Sequence, residues 1–358
     1  MKRMSTSELV PGMITAEDVY NYNNQLILQK GLILTDKAIT KLEFYSIINV
    51  RIENELAKPQ DTSADMVPSY ADRVKSSREF RMFQQEFEEN VTSFRNSIND
   101  VVERGTQLNV DELLDQTMAL VSNENGSVNI FDMLHNMRNY DDVTYVHCVN
   151  VALICNIFAR WLRFNEEEIR IATLSGLFHD IGKLMIPDNI IRKPGKLTSQ
   201  EYMVVKTHPQ DGYRILCNQD LDSHIRNAAL MHHERCDGSG YPLGLKAPQI
   251  DDYAKIVAIA DVYDAMTSAR IYRGPLCPFK VIAVFENEGL QKYDTRFILT
   301  FLENVVNTYL LNRVRLNNGV EGDIIYINHS QLSAPTIKCG NSYIDLSTEP
   351  GLSIESII

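Results

Sequence analysis

The stretch Leu177-Phe178-His179-Asp180-Ile181-Gly182-Lys183 decides how this chain is read. An apolar helical run ends in an adjacent imidazole and carboxylate, and Gly182 just behind them can relax the backbone. One metal ion can take ligands from both side chains. A carboxylate has two oxygens, so Asp180 is the natural bridge between two ions if a second set of histidines comes close. His208, His232 and His233 can supply that set. Lys183, three residues after Asp180, falls near the same helical face, where its ammonium can meet a phosphate.

Outward from this stretch the apolar spacing is helical from about Ser127 to Thr308, as in Val146, Val149, Ile154 and Phe158 and again in Ile169, Ala172, Leu174 and Leu177. This predicts an all-α domain. Five of the chain's eight histidines, His147, His179, His208, His232 and His233, fall inside it beside carboxylates. Any one of them alone reads as a hydrogen-bonded core or surface histidine; together they need a common cause. Mixed imidazole nitrogen and carboxylate oxygen suit manganese, iron or zinc, whereas calcium or magnesium sites are dominated by oxygen. His224 and His329 lack such company and read as ordinary histidines, and His135 lies on the helix approaching the cluster.

The whole chain has 358 residues, 35 basic and 47 acidic, for a net charge of −12. That balance disfavours domain-wide attraction to a nucleic acid polymer or an anionic membrane. A hydrophobic fraction of 44% predicts a folded core rather than disorder. The N-terminal stretch lacks an apolar signal-peptide core, and no run is long and apolar enough to span a bilayer, so cytoplasmic placement without membrane insertion is expected. The six cysteines contain no C-x-x-C pair and read as reduced thiols.

The flanks differ from the helical part. Residues 1–55 read as a small strand-rich α+β domain, with a short helix from Lys37 to about Tyr45 capped by Thr35-Asp36 and a closing strand at Ile47–Ile52. Residues 56–126 read as linker and helical connector, the polar stretch 58–65 being the best boundary. Within the connector Phe83, Phe87, Val91, Phe94, Ile98 and Val101 recur at steps of 4, 4, 3, 4 and 3, one face of a helix. That face either packs on the protein's own domains or pairs two chains in a homodimer through helix 83–101. Residues 313–358, with Asn317-Asn318-Gly319 between apolar runs, read as a short, hairpin-like β-rich appendage after a catalytic domain at 127–312.

The motif His179-Asp180-Ile181-Gly182-Lys183, followed by Lys193-Pro194-Gly195-Lys196-Leu197-Thr198, Thr207-His208-Pro209, His232-His233-Glu234-Arg235, Asp237-Gly238-Ser239-Gly240-Tyr241-Pro242 and Asp261-Val262-Tyr263-Asp264-Ala265-Met266-Thr267-Ser268, resembles the HD-GYP subgroup of the HD phosphohydrolase superfamily. Residues 1 to about 55 look like the small domain often joined to it. The resemblance implies a mainly α, metal-dependent hydrolase that cleaves cyclic di-GMP to pGpG or GMP through a hydroxide bridging the ions. It implies His147, His179, Asp180 and Asp261 around one ion and Asp180, His208, His232 and His233 around the other. Lys183, Arg270 and Arg273 would hold phosphate oxygens, and Tyr241 would help form the substrate pocket.

Two departures from the family pattern matter. Trinuclear members carry a glutamate four residues before the first histidine, and Val143 stands there in this chain. A binuclear site with two divalent ions, iron or manganese, is therefore expected unless Asp141 or Asp142 substitutes. Positions 269 and 271 are Ala and Ile where aspartate and proline are usual, although both arginines are kept. The alternatives are a phosphodiesterase for another cyclic dinucleotide, such as cyclic GMP-AMP, and a sensor that binds cyclic di-GMP with little turnover.

Overall fold

A computed structural model describes residues 2–6, 9–10, 12–20, 26–34, 38–39, 42, 47, 49–53, 74–122, 130–137, 143–193, 195–268, 276–340 and 342–358. Its architecture is mainly α. Outside the described residues lie the polar linker at 58–65, Asp141, Asp142, Arg270, Arg273 and most of the helix expected at 37–45.

The described helical part starts with α1 (Arg78–Arg104). The Ser77 hydroxyl accepts from the Phe80 amide at 3.1 Å to cap its first turn, and Gly105, at φ +66°, closes its last. All six apolar positions of the 4-4-3-4-3 pattern are buried, together with Phe80. Phe94 packs against the rings of Tyr145 and Phe178, each with a centroid separation of 6.1 Å. This face is covered by the chain's own helices. The packing alternative holds because each buried aromatic or aliphatic side chain is worth about 1.5–3 kcal/mol in the folded chain.

Next come α2 (Val110–Ser122), α3 (Ile130–Asn136), α4 (Val143–Trp161) and α5 (Glu166–Phe178). From Cys148 to Ala159, α4 is buried on every side, as expected of a helix apolar all round. It crosses α5 closely enough that a Cβ on Gly176 would stand 2.8 Å from the Ala152 Cα. A capping box at Asn165 and Glu168 starts α5, and a 3-10 turn at Ile181–Met185 follows its end. The remaining helices are α6 (Asp188–Ile191), α7 (Ser199–Val205), α8 (His208–Leu216), α9 (Ser223–Met231), α10 (Asp252–Thr267), α11 (Pro278–Val284), α12 (Leu290–Lys292) and α13 (Thr295–Thr308). Helix α10 is buried continuously from Tyr253 to Asp261, so α4, α5 and α10 form the centre of the helical body.

At the N-terminus β1 (Lys2–Ser5) pairs antiparallel with β4 (Asn49–Ile52), and β2 (Val19–Tyr20) with β3 (Leu26–Leu28). Leu9, Val19, Leu34, Leu42 and Val50 belong to a small core of their own there. At the other end β5 (Arg313–Leu316), β6 (Glu321–Tyr326), β7 (Thr336–Cys339), β8 (Ser342–Asp345) and β9 (Ile354–Ile357) form one antiparallel sheet in the order β8-β7-β6-β5-β9. Gly319, at φ +84°, turns β5 into β6. The expected hairpin is therefore the centre of a five-stranded sheet, and Val314, Leu316, Ile324, Ile337 and Ile354 share the hydrophobic core of the helices. Glu286 fastens the two, accepting from the Leu332 amide at 2.6 Å.

Candidate metal centre

Six elements converge on the candidate site: α4, α5, the 3-10 turn that follows it, α8, α9 and α10. His147 lies on the first turns of α4, His179 caps the end of α5, and Asp180 leads into the 3-10 turn that carries Lys183. His208 opens α8, His232 caps α9, His233 follows it, and Asp261 lies on α10. The backbone carrying these groups is drawn tight at Gly182. A Cβ there would overlap the His208 carbonyl and the Gly212 amide, so the glycine permits close approach of the 3-10 turn to α8 rather than relaxing the chain.

Two sets of potential ligand atoms emerge, each with its members within 4.8 Å of one another: Asp180, His208, His232 and His233, and His147, His179 and Asp180. Asp180 belongs to both. Its Oδ1 lies 3.2 Å from His208 Nε2 and 3.6 Å from His232 Nε2, and its Oδ2 lies 3.3 Å from His179 Nε2 and 3.6 Å from His147 Nε2. Asp261 stands beside the three-residue set, with Oδ1 3.0 Å from His147 Nε2 and Oδ2 4.0 Å from His233 Nδ1.

Backbone carbonyls fix how three of the histidines present themselves. Nδ1 of His179 faces Gly176 O at 2.6 Å, Nδ1 of His208 faces Val205 O at 2.7 Å, and Nδ1 of His232 faces Ala229 O at 2.9 Å. A carbonyl only accepts, so each Nδ1 carries the proton and each Nε2 turns its lone pair inward. Nδ1 of His147 is held by Asp264, at 2.6 Å, in the same way. This is the arrangement by which carboxylates and carbonyls orient metal-binding imidazoles.

The electrostatics agree with a site for cations. Burial would raise the Asp180 carboxyl, but the Lys183 ammonium and the neighbouring histidines hold it well below the usual carboxylate range. Asp261 is lowered in the same way, against burial, by His147. Burial holds His232 down to about 4, so it stays neutral and able to ligate near pH 7. His147 is the exception: burial lowers it, yet Asp261 and Asp264 overcome that and raise it to about 9. His179 Nε2 and Asp180 Oδ1 are fully buried without a hydrogen bond. Buried polar atoms are normally satisfied, and inward nitrogens around a shared carboxylate fit one or more divalent cations.

The residues expected at the site thus come together where they are described: His147, His179, Asp180, Lys183, His208, His232, His233 and Asp261, with Tyr241 stacked on His233 at 4.6 Å. Two supporting carboxylates were not anticipated. Asp264, one turn beyond Asp261, accepts from His147 and from Asn150 and Ser268, both at 3.0 Å. The Asp-x-x-Asp spacing on one helix face was the available signal. Glu234 is buried and accepts from the amides of Leu243, Gly244 and Leu245 at 2.7, 3.2 and 2.9 Å, pinning the loop that carries Tyr241. Val143 is the first residue of α4, one turn before His147.

Comparison with known proteins agrees with this geometry. Residues 109–297 match the family model for the HD domain. A Pseudomonas aeruginosa protein named as a cyclic di-GMP phosphodiesterase is 38% identical over 205 residues, 56% of this chain and 49% of that protein. A Vibrio cholerae protein named as a 3'3'-cGAMP-specific phosphodiesterase is 38% identical over 170 residues, 47% of this chain and 39% of that one. The chain spans half or less of the length of these relatives. Among solved structures, an HD-GYP-type protein from Bdellovibrio bacteriovorus aligns with 85% of this chain and 99% of its own, at 17% identity and a TM-score of 0.48. By the match over residues 109–297, the chain belongs to the HD domain family.

Proposed function

We propose that this protein is a metal-dependent phosphodiesterase that opens a cyclic dinucleotide, with cyclic di-GMP as the first candidate and pGpG or GMP as product. The observation that carries the reading is Asp180, shared by two sets of ligand atoms. His147, His179, Asp180 and Asp261 would hold one divalent ion and Asp180, His208, His232 and His233 the other, as iron or manganese. Val143 in place of a ligating side chain favours two ions over three. When bound, such ions activate water and offset charge on phosphoryl oxygens.

The chain's own residues do the rest. Inward Nε2 atoms fixed by carbonyls keep the site organised before substrate arrives. Lys183, bonded to Asp180, offsets that carboxylate's charge and stands ready to meet a phosphate oxygen. Tyr241, braced by His233, walls the pocket, and Arg270 and Arg273 are assigned to the phosphates. A relative named for 3'3'-cGAMP supports a second reading, in which the hybrid cyclic dinucleotide is the preferred substrate.

The test is product chromatography with manganese- or iron-loaded protein, offered cyclic di-GMP and cyclic GMP-AMP separately, beside Asp180→Ala. Linear product from wild type and none from the variant is expected. An Asp180→Ala protein that retains no metal yet hydrolyses as fast as wild type would overturn the proposal. Metal-loaded wild type that binds without releasing product would leave a sensor.

A further inference from the structure

Among the described residues, three basic side chains of the motifs that build the site are already engaged. Lys183 pairs with Asp180, Lys193 with Glu201, and Arg235 donates to the carbonyls of His232 and Glu234 while facing the Tyr293 ring. Lys206 is different. Its ammonium lies 5.0 Å from the centroid of the Tyr202 ring and 4.9 Å from that of Tyr241, and it makes no ion pair with a carboxylate of the described residues. An aromatic face attracts a cation without neutralising it, so the charge and the N–H donors of Lys206 remain available to an anion. Tyr241 stacks on His233 at 4.6 Å with the rings 25° apart, which places this ammonium one ring beyond the metal cluster. Tyr202 is about half exposed, so the clip opens to solvent and a ligand can reach it.

We propose that Lys206, clipped between Tyr202 and Tyr241, binds the phosphodiester of the cyclic dinucleotide that is not being cut. The inference rests on the substrate reading given above and adds a specificity-determining residue to it. A cyclic dinucleotide carries two phosphodiesters. With one at the metal centre, the other needs its own countercharge, and among the described residues Lys206 offers one that no carboxylate neutralises. A substrate with a single phosphodiester has no use for Lys206.

Lys206→Met is compared with wild type as the metal-loaded full chain on cyclic di-GMP and on bis(p-nitrophenyl) phosphate, which has one phosphodiester. The inhibition constant of cyclic di-GMP against the small substrate is read alongside. KM and inhibition constant for cyclic di-GMP should each rise about tenfold, the loss of one charge-assisted contact. Metal content and bis(p-nitrophenyl) phosphate turnover should not change, and Lys206→Arg should restore most of the affinity. Unchanged constants for cyclic di-GMP would overturn the proposal. So would equal losses on both substrates, which would make Lys206 only a clasp for Tyr241. Inhibition of wild type without cleavage of cyclic di-GMP would sink the substrate reading alone, the tenfold shift then deciding for Lys206. No inhibition at all would overturn both.

Discussion

Asp264 holds the imidazole of His147 through a 2.6 Å hydrogen bond to Nδ1, while Asn150 and Ser268 occupy its other oxygen. Both carboxylate oxygens are therefore used in support, and Asp264 orients the proposed ligand His147 while belonging to neither set of potential ligand atoms. Asp261 takes the opposite side of the same ring, at Nε2, where a metal ion would compete with it.

Asp264→Asn keeps the shape of this support and removes its charge. Metal affinity should fall about 10–100-fold, the usual effect of losing a carboxylate behind a metal-binding histidine. Metal analysis after dialysis against graded chelator would measure it. Retention equal to wild type would show that His147 needs no such support.

Glu234→Gln should loosen the loop that carries Tyr241. The glutamate satisfies three amides, whereas a Gln side chain offers one oxygen and turns an NH2 group toward donors. A buried donor left unpaired costs about 1–3 kcal/mol. Hydrogen exchange at Leu243, Gly244 and Leu245 should accelerate, with a lower melting temperature. Unchanged protection at all three amides would contradict this account.

Gly182→Ala tests the close approach of backbone to backbone. Its methyl group would overlap the His208 carbonyl, and neither backbone segment can move without shifting a cluster residue. A loss of about 3 kcal/mol or more is expected, since forced overpacking costs about 1–3 kcal/mol even where side chains can yield. Denaturant unfolding combined with metal content reads both effects. A stable, fully metallated variant would refute the constraint.

Glu201 supplies a test by pH. Hydrogen bonds from Lys193 and the Thr198 amide lower its carboxyl to about 2. A carboxylate lowered in the folded state contributes stability above its ordinary value near 4.5, and that contribution is lost as pH falls through about 2. A carboxyl-carbon NMR titration should show a midpoint near 2, and Lys193→Met should move it upward. A midpoint unaffected by the substitution would show that Lys193 does not hold it. The clasp matters to the site because Glu201 also caps α7, the helix that bears Tyr202 and leads into Lys206.

Much of the cluster was legible because metal chemistry draws on few residue types. His179-Asp180, His208, His232-His233 and Asp261 stand out against an apolar helical background, and the spacing of Phe83 through Val101 marks a buried face without any partner being known. The supporting groups were not legible in the same way. Asp264 and His147 are 117 positions apart, and nothing local in either segment says which oxygen will meet which nitrogen. Gly182 looked like a point of relaxation because a glycine reads as freedom in one dimension. It acts instead as absent volume, which only the arrival of α8 makes necessary.

By itself the sequence determined the residue chemistry, the helical body and the ligand-bearing motifs, because side-chain type and periodicity are local properties. The tertiary structure decided which atoms face inward, since that depends on the carbonyls behind His179, His208 and His232 and on Asp264 behind His147. It decided the use of the α1 face, because burial is a matter of what else is packed there. It also decided that the last strands join the main core and that Lys206 keeps an unneutralised charge beside the metal centre. Both facts concern neighbours in space, which spacing along a chain does not encode.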